Sequence, residues 1–154
     1  MKRQGGFTLI ELVVVIVILG ILAVTAAPKF LNLQGDARKS SLQGLKGAMS
    51  GASGIVYGKS AINGVETANS NTVVDGIETV FGYPTATSAG IEAAVVGLTD
   101  DWDAVSGAIS NGVAYTFKGQ STKDWTNDSG CFVNYIQATT VSSGVSVLVR
   151  DDKC

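Results

Sequence analysis

From Leu12 to Ala27 the chain is apolar at every position but Thr25 and carries no charge. Extending the run back to Phe7 adds one carboxylate, Glu11. About 20 apolar residues cross the hydrocarbon core of a bilayer as a helix. Phe7–Ala27 meets that length, with Glu11 as its one objection. Past Pro28 the helical pattern continues with polar residues interspersed. Leu42, Leu45, Met49, Ala52 and Val56 recur at alternating spacings of three and four, one stripe of an amphipathic helix. Gly44, Gly47, Gly51, Gly54 and Gly58 follow the same spacings two residues out of phase. Two residues is about 200° of helical rotation, so the glycine stripe lies opposite the apolar one.

An interior glycine costs up to ~1 kcal/mol relative to alanine in a helix. Two readings of the stripe therefore stand. One is a helix whose bare face lets a neighbouring backbone approach closely, and the other is a glycine-rich connector starting near Gly44. If helical from Phe7 to Gly58, the segment is roughly 80 Å long. A compact body made from the remaining ~95 residues has a radius of gyration of about 12–13 Å, so the first half of the helix is expected to protrude. Gly20 and Pro28 are its weak points, because proline removes a backbone hydrogen bond and bends a helix.

Residues 59–111 read as a long connection with limited structure. Asn63-Gly64 and Asp75-Gly76 are turn signals, Tyr83-Pro84 breaks the chain again, and the stretch from Gly90 to Leu98 suits a short helix. Asp100, Asp101 and Asp103 around Trp102 read as a solvated acidic turn beside a packed indole, since no EF-hand spacing is present.

The period then changes to two. Val113, Tyr115 and Phe117 alternate with Ala114, Thr116 and Lys118, and Phe132, Asn134 and Ile136 with Val133, Tyr135 and Gln137. Val145, Val147 and Val149 alternate with Ser146, Leu148 and Arg150. Three strands with Gly-, Ser- and Asn-rich turns predict an antiparallel sheet that receives the apolar helix stripe, an α+β arrangement. Asn127-Asp128-Ser129 matches a glycosylation acceptor by pattern and is read as a chance match.

Composition narrows the chemistry. The chain has no histidine and two cysteines, which excludes a His-based triad and a Cys/His zinc site. No nucleophile, base and oxyanion donor converge, so no enzyme activity and no cofactor are expected. No basic block points to nucleic acid. Cys131 and Cys154 lie far from the apolar run, in what should be an exported domain, where a disulfide is the natural reading. Its loop is worth roughly 3 kcal/mol in chain entropy.

Lys2 and Arg3 before the apolar run put the N-terminus on the cytoplasmic side. A secretory signal cut near Thr25-Ala26-Ala27 is disfavoured by Pro28 directly after the cut and by Glu11 within the apolar region, where an acid costs up to roughly 3 kcal/mol at the centre of a membrane helix.

Gly6-Phe7-Thr8-Leu9-Ile10-Glu11 followed by a long apolar helix resembles the prepilin signature of type IV pilins and their pseudopilin relatives. The short leader and the phenylalanine resemble the type IVa class. The run Ala26-Ala27-Pro28-Lys29-Phe30-Leu31-Asn32-Leu33-Gln34, then Asp36-Ala37-Arg38, is similar to mannose-sensitive haemagglutinin pilins of aquatic Gammaproteobacteria.

The resemblance implies that a prepilin peptidase cuts between Gly6 and Phe7 and that Phe7 becomes N-methylated. Losing Lys2 and Arg3 with the leader takes the formal charge from −2 to −4. The implied layout is a leader at 1–6, an anchoring and filament-core half-helix at 7–28 and an amphipathic half at 29–58. The connection at 59–111 and the sheet at 112–154 follow, with a disulfide-bounded surface from Cys131 to Cys154. The stretch between Gly20 and Pro28 is implied to lose helicity in the filament.

The expected product is a structural subunit of a surface fibre for adhesion and biofilm attachment, a homopolymer built by the pilus assembly machinery. It would wait in the inner membrane with its domain in the periplasm, and end outside the cell. Surface glycans are the partners such a fibre brings into range. The alternatives are a pseudopilin of type II secretion or a membrane-anchored or secreted binding domain.

A buried carboxylate must find a cation or remain costly, and cleavage creates one, the Phe7 amine. Glu11 is therefore expected to set register between packed helices. It stands about 6 Å of helix rise from Phe7, so capping its own helix is the competing role.

Overall fold

The computed structural model describes residues 6–105 and 112–154, with 27, 28 and 30–32 described by their backbone. Lys2, Arg3 and the 106–111 end of the connection lie outside the described residues. Two compact units, Met1–Ala37 and Arg38–Cys154, divide the chain within its first helix. Each is taken by itself.

The first unit holds the start of α1 (Leu9–Ile62). Its stretch Leu9–Ala26 has a mean hydropathy of 3.0 and is long and apolar enough to cross a membrane by length and composition. Its side chains are exposed throughout. The one polar side chain after Glu11, Thr25, donates its hydroxyl back to the carbonyls of Ile21 (3.2 Å) and Leu22 (3.0 Å). That back-bonding satisfies the hydroxyl inside the helix, so Thr25 does not break the apolar surface. The backbone is helical through both Gly20 and Pro28.

In the second unit α1 is amphipathic. Leu42, Leu45, Met49 and Val56 are buried, with Ala52 partly so. Ser53 and Ser60 extend the stripe by donating to the carbonyls of Met49 (2.7 Å) and Val56 (2.9 Å). Gly44, Gly47, Gly51, Gly54 and Gly58 are helical and exposed, which removes the connector reading. The helix stops where Gly64 adopts φ 69°, with Val65 N–H donating to Ser60 O and Gly64 N–H to Ala61 O. This is a Schellman ending, and the αL position favours glycine.

Residues 59–105 are more ordered than expected. β1 (Thr72–Val74), β2 (Ile77–Val80) and β3 (Tyr83–Pro84) form an antiparallel sheet in that order. Both hairpins turn on two residues with positive φ, Asp75-Gly76 and Phe81-Gly82, as a twisted two-residue turn demands. Phe81 is an unusual residue for that conformation. Gly82 is required beside it, because a Cβ there would stand 2.9 Å from Tyr57 and 3.0 Å from Glu66. Strands of two to four residues are too short to show a period, which is why the pattern missed them.

The stretch read as a short helix, Gly90–Leu98, overlaps the end of a π-helical turn, Ser88–Glu92, and α2 (Leu98–Asp101) follows after Gly97. Thr87 caps the first turn by accepting the Gly90 N–H.

Among the described residues the second sheet has four strands, where three were expected. β4 (Trp102–Val105), β5 (Gly112–Phe117), β6 (Phe132–Ile136) and β7 (Ser146–Arg150) pair antiparallel in sequence order. The added strand grows from the acidic stretch, with Trp102 packed on Phe117 at 4.6 Å between ring centres. Tyr115, Val133, Tyr135 and Val147 face the Leu42–Met49 stripe, together with Ile91, Val95 and Leu98. The fold is α+β.

Buried tyrosines tie the layers. Tyr135 donates its hydroxyl to Pro84 O at 2.7 Å, and Tyr115 to Glu92 Oε1 at 2.9 Å. Burial pushes the Tyr135 phenol up to about 12. It raises that of Tyr115 further, helped by the Glu92 carboxylate.

Candidate functional site

Two places carry the residues singled out in the sequence, and they are built differently. At the start of α1, Thr8 N–H donates to Glu11 Oε2 at 2.8 Å and the Thr8 hydroxyl to the same oxygen at 2.7 Å. Glu11 N–H returns a bond to Thr8 Oγ1 at 3.3 Å. This reciprocal arrangement is a capping box, which satisfies backbone donors that the first helical turn leaves free. The sequence carries its signature, threonine followed three residues later by glutamate, and the reading centred on Phe7 passed over Thr8. Glu11 thus holds the end of its own helix. Phe7 is 83% exposed, and an open, mainly apolar groove runs along Phe7, Ile10, Glu11, Val14 and Val15. Gly6 is exposed as well, so the bond between Gly6 and Phe7 is accessible.

The second place is the closed loop between β6 and the end of β7. Cys131 and Cys154 are bonded, with S–S 2.11 Å and Cα–Cα 4.9 Å. Around them the 150–154 segment grips the 124–130 loop. Asp152 accepts from the Gly130 N–H at 2.9 Å and from the Ser129 hydroxyl. Lys153 N–H donates to Gly130 O at 3.2 Å, and its ammonium to Asp124 O. Arg150 pairs with Asp128 at 3.1 Å. Hydrogen bonds from Ser129 first and Gly130 second hold the Asp152 carboxyl below the usual range. Asn127-Asp128-Ser129, the glycosylation pattern, forms a tight turn closed by bonds between Thr126 and Ser129.

A third feature is the glycine stripe. A Cβ added at Gly44, Gly47, Gly51, Gly54 or Gly58 would meet nothing within 4 Å. Nothing in the described residues therefore requires glycine there. Among the described residues, no group of three or more metal-ligating acidic or cysteine side chains converges.

Residues 1–27 match the family described as the prokaryotic N-terminal methylation motif. Over 50 residues the chain is 44% identical to the type IV narrow pilus major component PilA5 of Thermus thermophilus, covering 32% of this chain and 43% of that protein. Over 87 residues it is 38% identical to the type II secretion system core protein G of Aeromonas hydrophila, covering 55% and 54%. The core protein G of Klebsiella pneumoniae is 54% identical over 43 residues, 28% and 29% of the two chains. The matches thus span about half or less of the curated relatives' lengths. No solved structure matches the chain. The likeness is to pilin and pseudopilin subunits alike, and the methylation-motif match takes in the exposed apolar stretch Leu9–Ala26.

Proposed function

We propose that this chain is the precursor of a type IVa major pilin of the mannose-sensitive haemagglutinin kind. It waits in the inner membrane on its Leu9–Ala26 helix, is cut between Gly6 and Phe7 and is methylated on Phe7. It then polymerises through α1 into a surface fibre for attachment. Its work is structural, not catalytic. One observation carries the reading: the methylation-motif match of residues 1–27 takes in an apolar helical stretch, Leu9–Ala26, that has no cover among the described residues. Such a surface needs a bilayer or copies of itself.

Glu11 has two successive partners in this scheme. Thr8 holds it in the precursor, and cleavage offers the Phe7 amine of a neighbouring subunit, a charged partner in a dry core. The variant Glu11→Val should be processed and inserted normally but yield less fibre. Normal fibre yield would sink the register role.

A pseudopilin of type II secretion is the second reading, favoured by the two core protein G relatives. The Cys131–Cys154 bridge supports the pilin, since the resemblance associates a bridge at this place with pilins and not with major pseudopilins. Mass spectrometry of the mature N-terminus tests both against other classes. A start at N-methyl-Phe7 is expected. A start at Pro28 would indicate a secretory signal, and an intact Met1 a permanent anchor. Surface filaments composed mainly of this chain distinguish pilin from pseudopilin.

A further inference from the structure

The contacts around the disulfide do not use its sulfurs. Residue 130, immediately before Cys131, has both of its backbone polar groups occupied by the opposite segment. Its N–H goes to the Asp152 carboxylate at 2.9 Å, and its carbonyl accepts the Lys153 N–H at 3.2 Å. Ser129 adds its hydroxyl to Asp152, and Lys153 reaches back to Asp124 O. The β6–β7 ladder ends one step away at Phe132 and Arg150. Gly130 is itself enclosed, because a Cβ there would lie 2.6 Å from the Phe132 ring and 3.1 Å from Trp125. The residues preceding both cysteines are thus registered by hydrogen bonds in which the sulfurs take no part. The two sulfurs are not equivalent: Cys131 is fully buried, while Cys154 is partly exposed.

We propose that the 150–154 segment docks on the 124–130 loop through Asp152 and Lys153 before its disulfide closes, and that the bond exchanges through Cys154. In oxidation by a disulfide such as oxidised glutathione, the Cys154 thiolate attacks one glutathione sulfur and releases one glutathione thiolate, leaving a mixed disulfide. The Cys131 thiolate then attacks the Cys154 sulfur, the second glutathione leaves, and the protein dithiol has been oxidised as one glutathione disulfide was reduced. The docked segment acts on the second step by holding Cys131 near its target. Asp152 is a positioning residue for that closure.

The test uses the full chain in detergent micelles, equilibrated with reduced and oxidised glutathione, quenched by alkylation and read by mass spectrometry. The chain has two cysteines, so the assignment is direct. The ratio of disulfide to dithiol gives the effective concentration of one thiol at the other. Asp152→Ala should lower it roughly three- to tenfold, the scale of lost exposed hydrogen bonds, and Ser129→Ala should lower it by less. Asp128→Asn, which removes only a surface ion pair, should stay within about twofold. Near-ultraviolet circular dichroism of the oxidised variants checks that the fold is retained. Trapped glutathione is expected on Cys154. An unchanged effective concentration in both Asp152→Ala and Ser129→Ala would overturn the docking, and glutathione trapped on Cys131 would overturn the order of exchange.

Discussion

The two ends of α1 make opposite use of one helical geometry. Leu9–Ala26 is apolar all round and exposed all round. The stretch from Leu42 to Val56 confines its large apolar side chains to one face and buries them. Both stretches carry hydroxyls, and both use the same device for them. Thr25 bonds back to Ile21 and Leu22, as Ser53 bonds back to Met49. The glycines differ in consequence. Gly20 interrupts a surface that is apolar everywhere, whereas the five glycines from Gly44 to Gly58 leave one face bare on a helix whose other face is full. What separates the halves is where their partners are found. The Leu42–Val56 face has its partner within its own domain, and the Leu9–Ala26 face has none in this chain's described residues.

The comparison can be broken most forcefully with truncations. Met49→Ala should cost the domain about 2–5 kcal/mol in denaturant unfolding, the usual range for emptying a fully buried site. Ile16→Ala should leave that unfolding unchanged, since its side chain is exposed, and should act only on membrane partition or fibre assembly. Equal effects in the domain would erase the distinction. Glycine replacement sharpens it next. Gly51→Ala and Gly54→Ala should each stabilise the isolated subunit by up to ~1 kcal/mol, because the helix gains propensity and the new methyl meets open space. If the bare face packs on neighbouring subunits, the same variants should lower fibre yield. Gains in stability without any change in yield would leave the stripe without an assembly role.

The smallest expected effect concerns the 150–154 grip, measured as the melting-temperature difference between the parent and Asp152→Ala. The folded carboxyl is held below its ordinary range of about 3.9. Its contribution is therefore present above the unfolded value and lost as pH falls through the folded one. The difference should be constant near neutrality and vanish in strong acid. Lys153, Arg150, Asp128 and Asp151 stand nearby, but only Asp152 is removed by the comparison. A difference that persists below the folded value would mean the carboxylate is not the operative group.

Much of this molecule could be read along the chain, for reasons that differ by element. The long helix was legible because two independent stripes kept one period across about five turns, but it runs to Ile62, past the end expected at Gly58. Strands β5, β6 and β7 were legible because each is a run of five or six residues rich in Val, Tyr, Phe and Ile between Gly-, Ser- and Asn-rich turns. Yet β6 is buried at four successive positions and does not alternate in burial. The hairpins at Asp75-Gly76 and Phe81-Gly82 were not equally visible. The first carries a turn dipeptide, but the second places a phenylalanine at positive φ, which no local preference favours. β4 was missed because an exposed, acidic edge strand lacks the alternation of a half-buried one. The capping box was readable at Thr8 and Glu11, a threonine followed three residues later by a glutamate.

The primary structure by itself determined which segment is too apolar to remain uncovered and which helix face meets a sheet. These follow from composition and period, which act within a few residues of each position. Tertiary structure alone decided that a fourth strand joins the sheet. It also decided that Asp152 and Lys153 grip the residues around Gly130 beside the disulfide. Those outcomes depend on groups brought together from up to 29 positions apart, where distance along the chain says nothing about which donor meets which acceptor.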